Sequence, residues 1–433
     1  MGFRTSKLPP MPTSYPTMFD RGAFREVFKR PTVINYGFHI DSSVQDPSDA
    51  VTYLADAEGL TPAYMDYAND KFEWGSWKDA FFMPRPCMLK SDGTVDYYLD
   101  ENDYSKKSDG TPSDVADDSY DGNAMIEWGR DNQRIWYKIE PDENDNTSAS
   151  IFIANQPLDT HYKAWSFYNY DGNMVDHFYT PCYNGSLDAN GKLRSISGKT
   201  YSELCQNKNV TQEVTAAEKN NPVDKKIWYT EQYCDITLIN ILLILMSKSL
   251  DTQTAFGKGR SGQTSGAQYM LGTGTMDKKG MFWGSNSNND GVKVFGMENY
   301  WSNQHRRFAG LLMNDYQQLY KMTRSMADGS SATDYNQTGD GYLQACLSPN
   351  VAGYISKMWF NKDGFFDYST DGGSLSKYYC DYCYTNSGLR FALRGGYSAY
   401  LIPYGGAFFI GLYAAASYAY WTVGAAVSCK PLL

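Results

Sequence analysis

Histidine is scarce in this chain: His39, His161, His177 and His305 are the four present in 433 residues. No two of them stand at a spacing that would ligate one metal ion. The strings that carry familiar catalysis are missing too, with no GxSxG elbow, no HExxH and no Walker A sequence. Eight cysteines spread over so long a chain are too few for a disulfide scaffold. Cys380-Asp381-Tyr382-Cys383 is a lone CxxC without a second pair, and reads as strand residues. Positive charge is in deficit, with 39 Lys and Arg against 49 Asp and Glu for a net charge of -10. That balance argues against nucleic acid as a partner, because phosphate binding needs a basic face. The first residues hold no apolar run of the signal-peptide kind, so no secretory signal is expected. Met1-Gly2 with Ser6 reads as a chance match to the myristoylation pattern. From Tyr397 to Cys429 charge is lacking altogether, as are Gln and Met.

Two apparent motifs fail on context. Gly257-Lys-Gly-Arg-Ser-Gly262 has the letters of a dinucleotide fingerprint. It follows a helix rather than a strand and enters a Ser/Gly/Gln-rich loop. Asp117-Asp-Ser-Tyr-Asp121-Gly122 begins like a calcium loop, but its twelfth position is Trp128 instead of a bidentate Glu. Asp176-His177 and His305-Arg306-Arg307 read as hydrogen-bonded structural histidines. Neither a cofactor nor a metal nor a catalytic constellation is expected.

What the chain has in abundance is Tyr (36 residues), Gly (38) and Trp (10). With 42% hydrophobic residues it is long enough for one large domain or two or three ordinary ones. Asp-Gly pairs, such as 92–93, 109–110, 121–122 and 371–372, supply the positive φ of tight turns. Alternating runs at Val95–Leu99 and Ile135–Ile139 read as strands. Residues 1–45 are Pro-rich and read as an arm with a short helix near Phe24–Lys29. Residues 46–433 then form the body, with Lys90–Asn146 in long exposed loops. An apolar run from Leu238 to Met246, with Asp235 as N-cap, predicts a buried core helix too short for a membrane span. A second helix is predicted over Met297–Met313.

The uncharged stretch Gly405–Cys429 has the length of a transmembrane helix. It is dense in Gly and Tyr, follows Pro403, is poor in Leu, Ile and Val, and lacks basic flanks. A set of short strands and loops with outward tyrosines is the alternative. Tyrosine gives wide, stiff contact area with a polar tip and only two torsions to freeze, so Tyr diluted by Ser, Ala and Gly is the composition of a paratope.

Several blocks carry a family resemblance. They are Trp228-Tyr-Thr-Glu231, Asp251-Thr-Gln-Thr-Ala-Phe-Gly257, Gly296-Met-Glu-Asn-Tyr-Trp301 with Arg306-Arg307, and Leu393-Arg394-Gly395-Gly396. Leu412 through Cys429 follows a template of the form LNNAASNANWNIGAALSC. In this order the blocks resemble proteins varied by diversity-generating retroelements. The resemblance implies a C-type-lectin-like fold of the α+β class, in the branch similar to formylglycine-generating enzymes. It would be turn-rich, with short antiparallel strands, a few helices, long inserted loops and a variable region at about 390–433. It also implies adenine-directed mutagenesis, which turns AAC or AAT codons into NNC or NNT and excludes Lys, Glu, Gln, Met and Trp. Residues 397–422 hold none of these except Trp421, which the template shares. The positions read as diversified are Tyr397, Tyr400, Tyr404, Phe409, Gly411, Tyr413, Ala414, Tyr418, Tyr420 and Thr422. Leu412, Ala416, Trp421, Gly424 and Cys429 are read as fixed.

The EPN, QPD and WND strings of calcium-dependent lectins are missing, as is any match to the catalytic cysteines of the enzyme branch. The expectation is therefore a non-enzymatic receptor-binding protein at a phage or prophage tail-fibre tip, assembled in the host cytoplasm. It would attach to the tail through its N-terminus, bind a host surface protein or glycan, and form a homo-oligomer, a trimer by analogy. A formylglycine-generating-like enzyme and a membrane-anchored surface adhesin are the rivals.

Overall fold

The computed structural model describes residues 32–169, 171–322, 341–348, 352–400 and 404–431. The expected helix at Phe24–Lys29 lies outside them. Strands hold 36% of the structure and helices 11%, a β-rich fold with few helices that agrees with the coarser part of the expectation. Among the described residues the strands form a four-stranded, a seven-stranded and an eight-stranded sheet, with smaller ribbons between.

The four-stranded sheet runs Val51–Ala55, Asn35–Ile40, Asp145–Ala154, Trp136–Asp142, all antiparallel. Its second strand lies in the segment assigned to the arm. Phe38 and Ile40 are fully buried, because alternation along the strand turns both toward the core. The domain therefore begins before Asp46. The predicted loops at Lys90–Asn146 are in part sheet. They hold Val95–Asp100, Asp103–Lys107, Gly122–Trp128 and Trp136–Asp142, whose Asp and Ser residues concentrate at the turns between strands. Gly93 and Gly110 sit at φ 88 and 86, as tight Asp-Gly turns require.

Three helices matter to the site: α1 (Val210–Glu218), α2 (Tyr233–Ser247) and α3 (Thr252–Phe256). The α2 helix is the predicted core helix, and every one of its residues is buried. Its N-cap is Gln232 rather than Asp235. Asp235 lies inside the first turn, where it pairs at 3.0 Å with fully buried Lys430. The predicted second helix is two strands of different sheets instead: Met297–Glu298 and His305–Asn314. All but the last residue of His305–Asn314 are buried, and a run enclosed on both faces has the same apolar character in a helix or a strand.

The C-terminal region links two sheets. Arg390–Arg394 and Ile410–Ala414 lie at the centre of the eight-stranded sheet, followed in spatial order by Tyr382–Thr385 and Ala352–Tyr354. Val423–Gly424 then pairs in parallel with the start of His305–Asn314. Val427–Cys429 enters the seven-stranded sheet between Trp228–Thr230 and Phe178–Pro181. Residues 405–429 are thus strands and turns, and no described helix is long and apolar enough to cross a membrane.

Candidate binding face

The blocks singled out in the sequence meet behind the C-terminal tyrosines. Arg306 and Arg394 converge on Glu231, with Arg306 Nη1 at 3.4 Å, and all three side chains are buried. Burial alone would raise the Glu231 carboxyl. The two guanidinium groups outweigh it and hold the carboxyl below its ordinary value. Arg394 also donates to the Tyr300 carbonyl. Trp301 Nε1 donates to the Gly257 carbonyl at 3.0 Å, which ties two further blocks together. Gly395 and Gly396 turn the chain at φ 83 and 79. A Cβ on Gly395 would lie 3.1 Å from the Trp301 Cα, and one on Gly396 would lie 2.9 Å from the Gly405 Cα. Only glycine suits both the turn and this close approach.

In front of this frame lies a connected layer of rings. Tyr397 and Tyr400 approach to 4.2 Å between centroids, and Tyr400 reaches Tyr404 at 5.2 Å. Tyr413 contacts Tyr418 at 6.1 Å, and Tyr418 contacts Tyr420 at 6.3 Å. Trp421 bridges Tyr420 and Tyr397, at 5.9 Å from each. Tyr420 is 47% exposed, and Tyr397, Tyr400, Tyr404, Tyr413 and Tyr418 are half-buried.

The other four predicted positions do not face solvent. Phe409 and Ala414 are fully buried, Thr422 is 4% exposed and Gly411 is enclosed. The reason is strand position. Ile410–Ala414 has a neighbour on each side, with Phe391 opposite Ala414 and Tyr384 opposite Gly411. A Cβ on Gly411 would meet the Tyr413 ring at 2.7 Å. These four positions floor the layer rather than expose their side chains.

Three tyrosines and one histidine of the layer escaped the sequence reading. Tyr382 packs against Tyr404 at 4.4 Å with the rings tilted by 36°, Tyr354 touches both, and Tyr384 lies 5.2 Å from Tyr413. The signal for two of these was the spacing Tyr382-Cys383-Tyr384, which on a strand places both tyrosines on one face. His305 sits beneath the layer, fully buried, with the rings of Tyr397, Tyr400, Phe409 and Tyr413 within 6.4 Å of its own. Its Nε2 shares a hydrogen bond with the Tyr413 hydroxyl at 3.3 Å. Burial pushes the imidazole down to about 3, with a backbone hydrogen bond at Arg394 opposing only in part, so the ring is neutral at pH 7. Burial also pushes up the Tyr400 and Tyr413 hydroxyls. The face is therefore uncharged and rich in hydroxyl groups.

The frame grips this segment mostly by its main chain. Val210 N–H, at the start of α1, donates to the Ala416 carbonyl at 3.1 Å. Arg307 Nη2 donates to the Tyr418 carbonyl at 2.8 Å, and Asn207 N–H to the Tyr420 carbonyl at 3.2 Å. His305 N–H donates to the Thr422 carbonyl, Gln263 N–H to that of Ser398, and Gly262 N–H to that of Tyr400. Arg307 is itself fixed, since its Nε meets Glu213 at 2.7 Å with both side chains buried. At the core, Asn240 of α2 donates to the Ala407 carbonyl at 2.8 Å and accepts from the Tyr300 hydroxyl.

All eight cysteines are buried. Cys383 lies in the strand Tyr382–Thr385, whereas Cys380 precedes it at φ 57, outside any strand. Among the described residues no group of three His, Cys, Asp or Glu is placed to hold a metal ion. No protein-family model matches the chain, and no curated protein matches it.

Proposed function

We propose that the chain is a ligand-display protein whose Tyr-rich C-terminal face varies in sequence and binds a receptor on a host surface. The fold is read as C-type-lectin-like, of the kind diversified by retroelements, and the setting as a phage or prophage tail-fibre tip. The receptor is a surface protein or glycan, and several copies of the face act together by avidity. One observation carries the reading: the frame holds residues 398–400 and 404–422 chiefly through main-chain carbonyls, which every amino acid supplies. Side chains at Tyr418 and Tyr420 can then change without loosening their own backbone. A neutral face of half-exposed tyrosines fits protein or glycan contact, where stiff rings with polar tips bind at low entropic cost. An enzyme of the formylglycine-generating kind needs an accessible thiolate, and the buried cysteines favour display over that chemistry.

The test is the DNA flanking the gene. A second copy of the codons for residues 390–433, differing from this one where it carries adenine and lying beside a reverse transcriptase, supports the reading. A flank with neither element overturns the diversification.

A further inference from the structure

A second candidate site lies outside the tyrosine layer. Three separate segments, 70–78, 101–102 and 278–283, enclose a cleft of about 840 Å³. Its floor is aromatic. Phe72 and Phe282 stack at 4.6 Å with their planes 9° apart, and Trp74 packs edge-on against both at 5.0 and 5.3 Å. Trp74 and Trp283 are left half-buried at the cleft surface. The Trp283 indole is fixed by its N–H, which donates to Asp70 Oδ1 at 2.7 Å. Lys279 Nζ lies over the Trp283 ring at 4.3 Å, so Trp74, braced edge-on by Phe72 and Phe282, is the partly exposed indole on which a flat apolar ligand face can stack at little entropic cost.

The cleft carries four lysines in a chain whose net charge is -10. Lys71 is paired with Glu73 at 2.7 Å, and Lys279 with Asp70 at 3.2 Å. Lys78 and Lys278 are exposed and make no salt bridge among the described residues. Glu101 and Asn102 add a carboxylate and an amide to the rim. No arginine lines the cleft, so the planar fork that grips a phosphate bidentately is missing. Point-charge ammonium groups beside an indole, with carboxylate and amide acceptors between, match a ligand rich in hydroxyl groups that carries sparse negative charge.

We propose that this cleft binds an acidic saccharide. A pyranose would stack its C–H face on Trp74 and direct its carboxylate or sulfate toward Lys78 and Lys278. Its hydroxyl groups would donate to Glu101 and Asn102. The site is independent of the tyrosine face and does not rest on its function.

The experiment is calorimetric titration of the full chain with tetragalacturonate, a heparin-derived tetrasaccharide and neutral maltotetraose. Either acidic probe should bind at least about tenfold more tightly than maltotetraose, and more weakly as salt rises. Which acidic probe binds distinguishes a uronate from a sulfated ligand. Trp74→Ala should weaken binding about tenfold or more. Because that change touches the aromatic floor, the paired surface reversal Lys78→Glu with Lys278→Glu is the second variant, and it should abolish binding in a folded chain. Replacing Tyr413, Tyr418 and Tyr420 with Ser should leave saccharide affinity unchanged. Equal affinity for neutral and acidic probes overturns the proposal. So does full affinity in the charge-reversed chain, or no binding of either acidic probe at about 1 mM. Tighter binding of ATP than of either acidic saccharide would also overturn it, as would loss of binding in the tyrosine variant.

Discussion

Arg307 holds the main chain of Tyr418: its Nη2 donates to the Tyr418 carbonyl at 2.8 Å while its Nε is locked on Glu213 at 2.7 Å. The guanidinium is 3% exposed and the carboxylate 1%. Arg307→Ala would strand Glu213 without its partner inside the fold and release the loop carrying Tyr418. The expected loss is about 3–5 kcal/mol in denaturant unfolding. The double change Arg307→Met with Glu213→Leu removes both charges and should recover much of that loss. A single variant as stable as the parent would show that the pair does not anchor the loop.

Tyr420 and Phe409 should behave as opposites. Tyr420 is 47% exposed, and Tyr420→Ser should change stability by less than about 0.5 kcal/mol. Phe409 is fully buried against His305 and Tyr400, and Phe409→Ala should cost about 3–5 kcal/mol. Libraries randomised at both positions and selected for folded protein should accept most residues at 420 and only apolar ones at 409. Free variation at both would place Phe409 on the surface.

Asp367 is fully buried, and neither carboxylate oxygen has a hydrogen-bond partner among the described residues. Burial pushes its carboxyl up to about 8, against about 3.9 in an unfolded chain. Between those values the folded chain keeps a proton that the unfolded chain has lost, so stability falls as pH rises across this window. Asp367→Asn should therefore raise the thermal midpoint at pH 9 by a few degrees and change it little at pH 4. A gain of the same size at both pH values would contradict the assignment.

His305 should show the reverse dependence. Its folded value of about 3 lies well below the ordinary 6.5 of an unfolded histidine. As pH drops from 6.5 toward 3 the unfolded chain takes a proton that the folded chain refuses, and stability is lost over that range. Imidazole NMR shifts should stay those of the neutral ring down to about pH 4, and the Tyr413 hydrogen bond should persist with them. A titration near pH 6.5 would place the ring in water.

The strongest sequence signals marked local features. The α2 helix, the strand from Val95 and the Asp-Gly turns at 93 and 110 were legible because each rests on a few neighbouring residues. His305–Asn314 was misread as helix because burial on both faces erases the period that separates the two structures. The tyrosines from 397 to 420 stood out by composition alone. Burial at Phe409, Gly411, Ala414 and Thr422 depends on strands that are distant in sequence, and no local pattern encodes it. His305 looked like an ordinary structural histidine, since its central place appears only when Tyr397, Tyr400, Phe409 and Tyr413 fold over it.

The strand Val427–Cys429 lies downstream of the tyrosine layer and inside the seven-stranded sheet, with Trp228–Thr230 on one side and Phe178–Pro181 on the other. A stop codon or frameshift anywhere between Tyr397 and Thr422 removes this strand and leaves Trp228 and Tyr179 facing an open slot. Completing the scaffold therefore requires translation through the whole tyrosine segment in frame. A chain cut short there lacks the strand that joins Trp228–Thr230 to Phe178–Pro181 and is expected to fail to fold, so an intact reading frame through the tyrosines is a condition of the fold itself.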